Sequence, residues 1–153
     1  MDKRTEFNTK LKESLKAKDE VATATIRLIL AALKDRDITA RGTGKADGID
    51  DNEILTMLGS MIKQRKESAQ TYADAGRDDL AEREQAEIEI IQSFMPAQLS
   101  EAEVAAIIDK LITETGAANI KDMGKVMGVM KERYAGQVDM GKAGGMVKQK
   151  LAG

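Results

Sequence analysis

Apolar residues recur along this chain at spacings of three and four, the period that places side chains on one face of an α-helix. Phe7, Leu11 and Leu15 begin the pattern, four residues apart. No comparable stretch alternates apolar and polar residues, as a half-buried β-strand would require. The sequence therefore predicts an all-α protein. Because only 3% of the residues are aromatic, its core must be built from aliphatic side chains and methionine.

Capping residues and glycines divide this pattern into seven predicted helices. After the first helix, Asp19 precedes a second that we expect to end near Thr39. The three glycines in residues 41–48 predict a loop. The later helices are predicted at residues 51–75, 79–94, between Ser100 and Gly116, near 122–134 and at 140–151. Asp139 is predicted to cap the last of them.

Particular residues mark where these helices start and stop. Gly76 and Gly116 are expected to end the third and fifth helices in the left-handed conformation. Pro96 is the only proline, and it prevents the fourth helix from continuing. Two residue pairs have capping-box spacing, Asp50 with Glu53 and Ser100 with Glu103. We place a domain boundary at the proline, with a four-helix N-terminal domain at 1–96 and a small three-helix tail domain at 97–153.

The chain contains no histidine and no cysteine. It therefore lacks the side chain that exchanges protons near neutral pH and the strongest common nucleophile. Ser-His-Asp and Cys-His sites, zinc fingers and disulfides are excluded. Glu84 and Glu87 share a helix face, but no histidine is present to complete a metal site of the kind found in helix bundles. We expect no catalytic residue, no metal and no cofactor.

Positive charge is concentrated near the C-terminus. The whole chain has a net charge of −2, but residues 117–153 hold seven basic and three acidic residues, a net charge of +4. The candidate nucleic-acid-binding residues are Lys121, Lys125, Lys131, Arg133, Lys142 and Lys148. They could contact phosphates, with the glycines at the start of the seventh helix letting a backbone approach. The alternative is a solvated helical surface whose lysines are favoured by the helix dipole.

A second basic patch is predicted on the third helix. Lys63 and Lys66 are three residues apart and share a face, and Arg77 follows at the next turn. The alternative is that the basic residues at 63–66 pair with the acidic fourth helix. Both interpretations stay open at the level of sequence.

Several segments together resemble the YqeY-like family, also called the GatB/YqeY domain. They are MIKQRK at 61–66, AGRDDL at 75–80, MPAQLS at 95–100, KDMGKVMG at 121–128 and DMGK at 139–142, with RL and LK at either end of 27–34. The chain departs from the family pattern at Gln137 and Val138, where Arg-Ala is expected. It also departs at Glu132, where proline is expected.

The resemblance implies a role around tRNA. The family is similar to the C-terminal, tRNA-contacting region of the B subunit of glutamyl- and aspartyl-tRNA amidotransferases, which are carbon–nitrogen ligases with glutamine as amido-N-donor. Standalone members lack the large catalytic portion of that subunit. The implied function is an accessory module that binds tRNA or another folded RNA and is not catalytic alone. The N-terminal helices would then bind a protein partner or set the orientation. The alternative is a protein-interaction adaptor without RNA contact.

Location follows from what the sequence lacks. No apolar run approaches the ~20 residues that a membrane helix needs. The N-terminal residues lead into charged positions and not into the apolar segment of a secretory signal. We therefore expect a cytoplasmic protein with no membrane partner and no DNA partner.

Overall fold

The computed structural model describes residues 2–152, and this part of the chain is all α with no strand. Its helices are α1 Lys3–Lys16, α2 Glu20–Gly42, α3 Asp51–Asp74, α4 Asp78–Gln92, α5 Glu101–Thr115, α6 Met123–Tyr134 and α7 Met140–Ala152, with a 3-10 turn at Ile120–Asp122. The predictions of an all-α fold and of seven helices are confirmed. Within residues 2–152 no helix is both long and apolar enough to cross a membrane.

The helices form two compact units, and the chain passes from one to the other between Met95 and Pro96. In the first unit α3 packs along α4, while α2 packs against α1 and α4. In the second, called the tail unit here, α6 packs against both α5 and α7. That each unit is a domain able to fold by itself stays a prediction.

Most helices begin and end close to the positions predicted from their capping residues. Ser100 and Glu103 form the full reciprocal capping box at the start of α5. Gly76 and Gly116 have φ of 73° and 68°, the left-handed conformation predicted for both. The second helix is longer than predicted, because α2 continues three residues past Thr39 to Gly42.

The capping box predicted at the start of α3 forms only in part. The Asp50 carboxylate accepts the Glu53 backbone N–H at 2.8 Å. The Glu53 carboxylate, however, pairs with Lys45 of the preceding loop. Glu53 therefore joins the loop to α3 through an ion pair.

The core of the first unit is aliphatic, with one aromatic pair. Phe7 of α1 meets Phe94 edge-on at a centroid distance of 4.9 Å. Leu15, predicted on the same face as Phe7, is 49% exposed. Ser14 takes the inward position in its place, because it follows Phe7 by two full turns and its hydroxyl bonds Thr23 at 2.9 Å.

A buried carboxylate ties the loop after α2 to two helices. Asp37 of α2 is only 8% exposed. Its two oxygens accept from both terminal nitrogens of Arg4 on α1, at 3.0 and 2.8 Å. The Ile49 N–H donates to Asp37 at 3.0 Å, and Arg4 donates to the Ile49 carbonyl at 2.8 Å. Each charged group therefore has several partners, as a partly buried pair requires.

Gly48 allows this arrangement, because a side chain there would collide with the buried acid. Its φ is +83°, and an added Cβ would lie 2.2 Å from Asp37 Oδ1. Glycine alone adopts this conformation freely and leaves room for the carboxylate.

Among the described residues of the tail unit no aromatic side chain is fully buried, and the half-buried Tyr134 packs against the core. Its buried residues are Val104, Ile108, Leu111, Val126, Met130, Ala143 and Val147. The segment before α5 belongs to this unit, since the Leu99 N–H donates to the Gln137 carbonyl at 2.9 Å. The loop between α6 and α7 is thereby held against the start of α5.

We expect Gly48→Ala to destabilise the first unit by roughly 2–4 kcal/mol, through backbone strain and the collision with Asp37. Gly44→Ala is the matched control: it also has a positive φ, +99°, but nothing lies within 4 Å of its Cβ position. The control should cost about 1–2 kcal/mol. Urea denaturation of each full-length variant measures both changes. Equal losses would contradict the role assigned to the Asp37 contact.

We also expect residues 97–153, expressed alone, to show helical circular dichroism and a cooperative thermal transition. Ile108 is fully buried, so Ile108→Ala should cost about 2–5 kcal/mol and unfold so small a unit. Ile120→Ala is the control because Ile120 is 46% exposed, and it should change little. An unstructured fragment would contradict the predicted domain boundary.

Candidate nucleic-acid interface

The exposed side of α6 alternates lysines with glycines. Because a helix turns about 100° per residue, Gly124, Lys125, Gly128 and Lys131 fall within about 120° of arc. All four are exposed, and nothing lies within 4 Å of the position a Cβ would occupy at either glycine. Lys121 precedes this face from the 3-10 turn and is also exposed. The face therefore combines positive charge with accessible backbone.

The exposed side of α7 has the same composition in a wider arrangement. Lys142 and Lys148 are six residues apart, which places them about 120° from each other around the helix. Gly145 lies between them, exposed and with open space at its Cβ position. Ala143 and Val147 are buried on the opposite side. The two lysines thus border a strip of bare helix and do not share one narrow face.

Ion pairs separate the six candidate residues into two groups. The Arg133 guanidinium binds Glu114 of α5 at 2.8 Å, and this contact raises the pKa of Arg133. Lys125 lies 3.8 Å from Asp122 and is 70% exposed, so that pair is loose. Within residues 2–152 no ion pair involves the other four, which we call the unpaired tail lysines: Lys121, Lys131, Lys142 and Lys148.

The start of α7 is not open to an incoming phosphate. The Asp139 carboxylate already accepts the N–H groups of Gly141 at 2.9 Å and Lys142 at 3.3 Å. A helix N-terminus offers few free donors once a carboxylate caps it. The predicted approach of a phosphate to these glycines is therefore blocked by the protein's own acid, and lysine side chains are left as the available contacts.

The second basic patch is split by pairing with α4. Arg65 Nε donates to Glu87 at 3.0 Å, with both side chains less than 15% exposed. Arg77 pairs with Asp79 in the first turn of α4, which lowers the pKa of the Asp79 carboxyl. Lys63 and Lys66 are exposed, and neither forms an ion pair in the described part of the chain. The structure thus pairs Arg77 locally and shows no contact joining it to the two lysines.

Of the two acids considered for a metal site, Glu87 is engaged in ion pairs. Glu87 is bound by Arg65 and lies 3.4 Å from Arg83. Glu84 is therefore left without a free carboxylate neighbour one turn away. In residues 2–152 no group of three or more acidic side chains is placed to hold a metal ion.

Comparison with known proteins gives the family of this chain. A family model described as Yqey-like protein matches residues 4–151. The chain belongs to the YqeY-like family. The resemblance found in the sequence is therefore confirmed.

Three relatives of this YqeY-like chain share the name altered inheritance of mitochondria protein 41, mitochondrial. The protein of Lachancea thermotolerans is 37% identical over 112 residues, covering 71% of this chain and 57% of that protein. That of Eremothecium gossypii is 34% identical over 106 residues, covering 68% and 56%. That of Saccharomyces cerevisiae is 31% identical over 124 residues, covering 77% and 64%. The YqeY-like chain thus spans less than two thirds of each relative's length.

The prediction of a cytoplasmic location is wrong by this comparison, because each relative is named as mitochondrial. The prediction considered only a membrane-spanning run and the apolar segment of a secretory signal. Mitochondrial targeting requires neither, since transit peptides are amphipathic and rich in arginine.

In the YqeY-like chain we expect the pKa of Asp122 to lie below its ordinary value of 3.8. Its carboxylate accepts the Ala118 N–H at 2.9 Å, and Lys125 acts in the same direction. Because the folded-state pKa of Asp122 is lowered, its ionised form stabilises the loop at every pH above the unfolded-state pKa. This contribution is lost as the pH falls through the folded-state pKa. Carboxyl ¹³C NMR titration measures the pKa of Asp122 in the folded chain. A midpoint at or above 3.8 would contradict the capping role.

Proposed function

We propose that the tail unit binds the phosphate backbone of a folded RNA, such as tRNA, through the unpaired tail lysines. One observation carries the proposal. The acidic side chains of this unit are largely engaged, in Asp139 capping α7, Asp122 holding Ala118, Glu114 binding Arg133 and Asp109 binding Lys150. Among residues 2–152 the unpaired tail lysines are therefore left without a carboxylate in contact, in a segment, residues 117–153, whose net charge is +4.

The surface suits phosphates better than bases. Lysine ammonium groups bind phosphates as point charges, and each phosphate neutralised releases counterions, which drives association at low salt. The exposed Gly124 and Gly128 of α6 let a sugar–phosphate backbone approach that helix without side chains in the way. Tyr134 is the one aromatic residue of the tail unit and is half-buried, so stacking on single-stranded bases is disfavoured. Recognition of a folded RNA by shape fits this composition.

The family resemblance supports RNA binding by analogy. The resemblance to the tRNA-contacting region of an amidotransferase subunit suggests tRNA as the RNA partner. We propose that the chain takes part as an accessory module, with the carbon–nitrogen ligase chemistry supplied by a partner enzyme. The basis is that the sequence has neither histidine nor cysteine. The rival function is an adaptor that binds proteins and no RNA.

We expect K121E/K131E to weaken tRNA binding by about tenfold or more at low salt, because two phosphate contacts become repulsive. The control is K12E/K34E, which makes the same charge change at exposed lysines of α1 and α2 that form no ion pair among residues 2–152. The control should change affinity by less than about threefold. Gel retardation of the full-length chain with bulk tRNA measures both, and circular dichroism verifies that the variants fold.

Two results would overturn the proposal. Absence of any tRNA shift by the wild-type chain at low salt would favour the adaptor. Equal losses in the two double variants would mean that binding follows the total charge and not the tail unit.

A further inference from the structure

A second exposed surface lies on α2, in the first unit. Leu28 is 47% and Ile38 is 56% exposed, and both lie on the side of α2 turned away from the core. Ala31 between them is exposed as well. The outer α2 stripe consists of Ala24, Leu28, Ala31, Asp35 and Ile38. Its spacings of four, three, four and three are those of a coiled-coil seam, which predicts contact with another helix.

Charged residues are placed symmetrically about the middle of this stripe. Arg27 precedes Ala31 by four residues, and Asp35 follows it by four. Both side chains are exposed, and neither takes part in an ion pair within the described chain. Being eight residues apart, they are too distant to pair along their own helix. Arg27 and Asp35 can therefore form ion pairs with a partner helix that presents an acidic group opposite Arg27 and a basic group opposite Asp35.

We propose that two copies of this chain associate through α2, antiparallel, about a two-fold axis at Ala31. This register places Arg27 of each copy opposite Asp35 of the other, so that two ion pairs form. It also places the small Ala24 opposite the large Ile38. Such a contact is isologous, since the same residues serve both copies.

Charge also decides the direction of the pair. A parallel two-fold arrangement would set Arg27 against Arg27 and Asp35 against Asp35, which repel. At the axis Ala31 meets its own copy, and a small residue there lets the helices approach closely. The surface is small, so we expect a weak dimer whose population rises with protein concentration. The inference concerns the first unit and does not rest on RNA binding by the tail unit.

A charge-exchange experiment tests this register in the full-length chain. R27D and D35R each place like charges opposite one another, so each variant should be monomeric in sedimentation velocity at concentrations where the wild-type chain dimerises. Mixed in equal amounts they should form a heterodimer, because both charges of each copy then face opposite charges on the other. The double variant R27D/D35R should dimerise by itself for the same reason.

The control is R36D, a charge reversal on the same helix about 100° away from Asp35. It should leave the dimer population within about twofold of wild type. L28S/I38S should abolish the dimer while retaining helical circular dichroism. A wild-type chain that is monomeric at all concentrations would overturn the proposal. Failure of the R27D and D35R mixture to associate, or loss of the dimer in R36D, would overturn the register.

Discussion

Carboxylates accept hydrogen bonds from backbone N–H groups and bind neighbouring cations throughout this structure. The helix starts, the loop after α2 and the exposed lysines of the tail unit all depend on these contacts. Every α-helix leaves its first N–H groups without intrahelical partners, and acidic side chains accept from those groups at α2, α3 and α7. Asp37 does the same for a loop and binds Arg4 in addition. Acids oriented in this way keep their charge, but their geometry holds most of them away from ion-pair contact with lysines elsewhere. In the tail unit the consequence is an outward surface of cations.

The parts of the fold that depend on neighbouring residues were predictable from sequence. The capping box at Ser100, the left-handed glycines at 76 and 116 and the apolar periodicity of each helix act within one or two turns. The Arg4–Asp37 contact was not predictable, because it joins residues 33 positions apart. For the same reason the sequence did not predict that Arg65 would pair with Glu87 while Lys63 and Lys66 stay exposed. Which basic residue meets the acidic helix depends on how α3 rotates against α4.

The candidate site shows the same division between local and distant effects. The excess of positive charge in residues 117–153 is a property of composition, so it can be counted directly from the residues. The division into paired and unpaired cations cannot be counted in this way, because the Arg133–Glu114 ion pair joins α6 to α5 and residues 19 positions apart. Asp139 was predictable as the cap of α7, because it directly precedes that helix. The consequence that its carboxylate occupies the Gly141 and Lys142 N–H groups, and so excludes a phosphate, was drawn only from its hydrogen bonds.

The dependence of tRNA affinity on salt concentration tests the central claim most directly, because its slope counts the phosphate contacts. If the four unpaired tail lysines each neutralise one phosphate, a plot of log K against log salt between about 50 and 200 mM should have a slope of about −3 to −4. Replacing Lys142 and Lys148 by glutamine should make that slope shallower by about 2. A slope near zero, or one that the two replacements leave unchanged, would contradict the account.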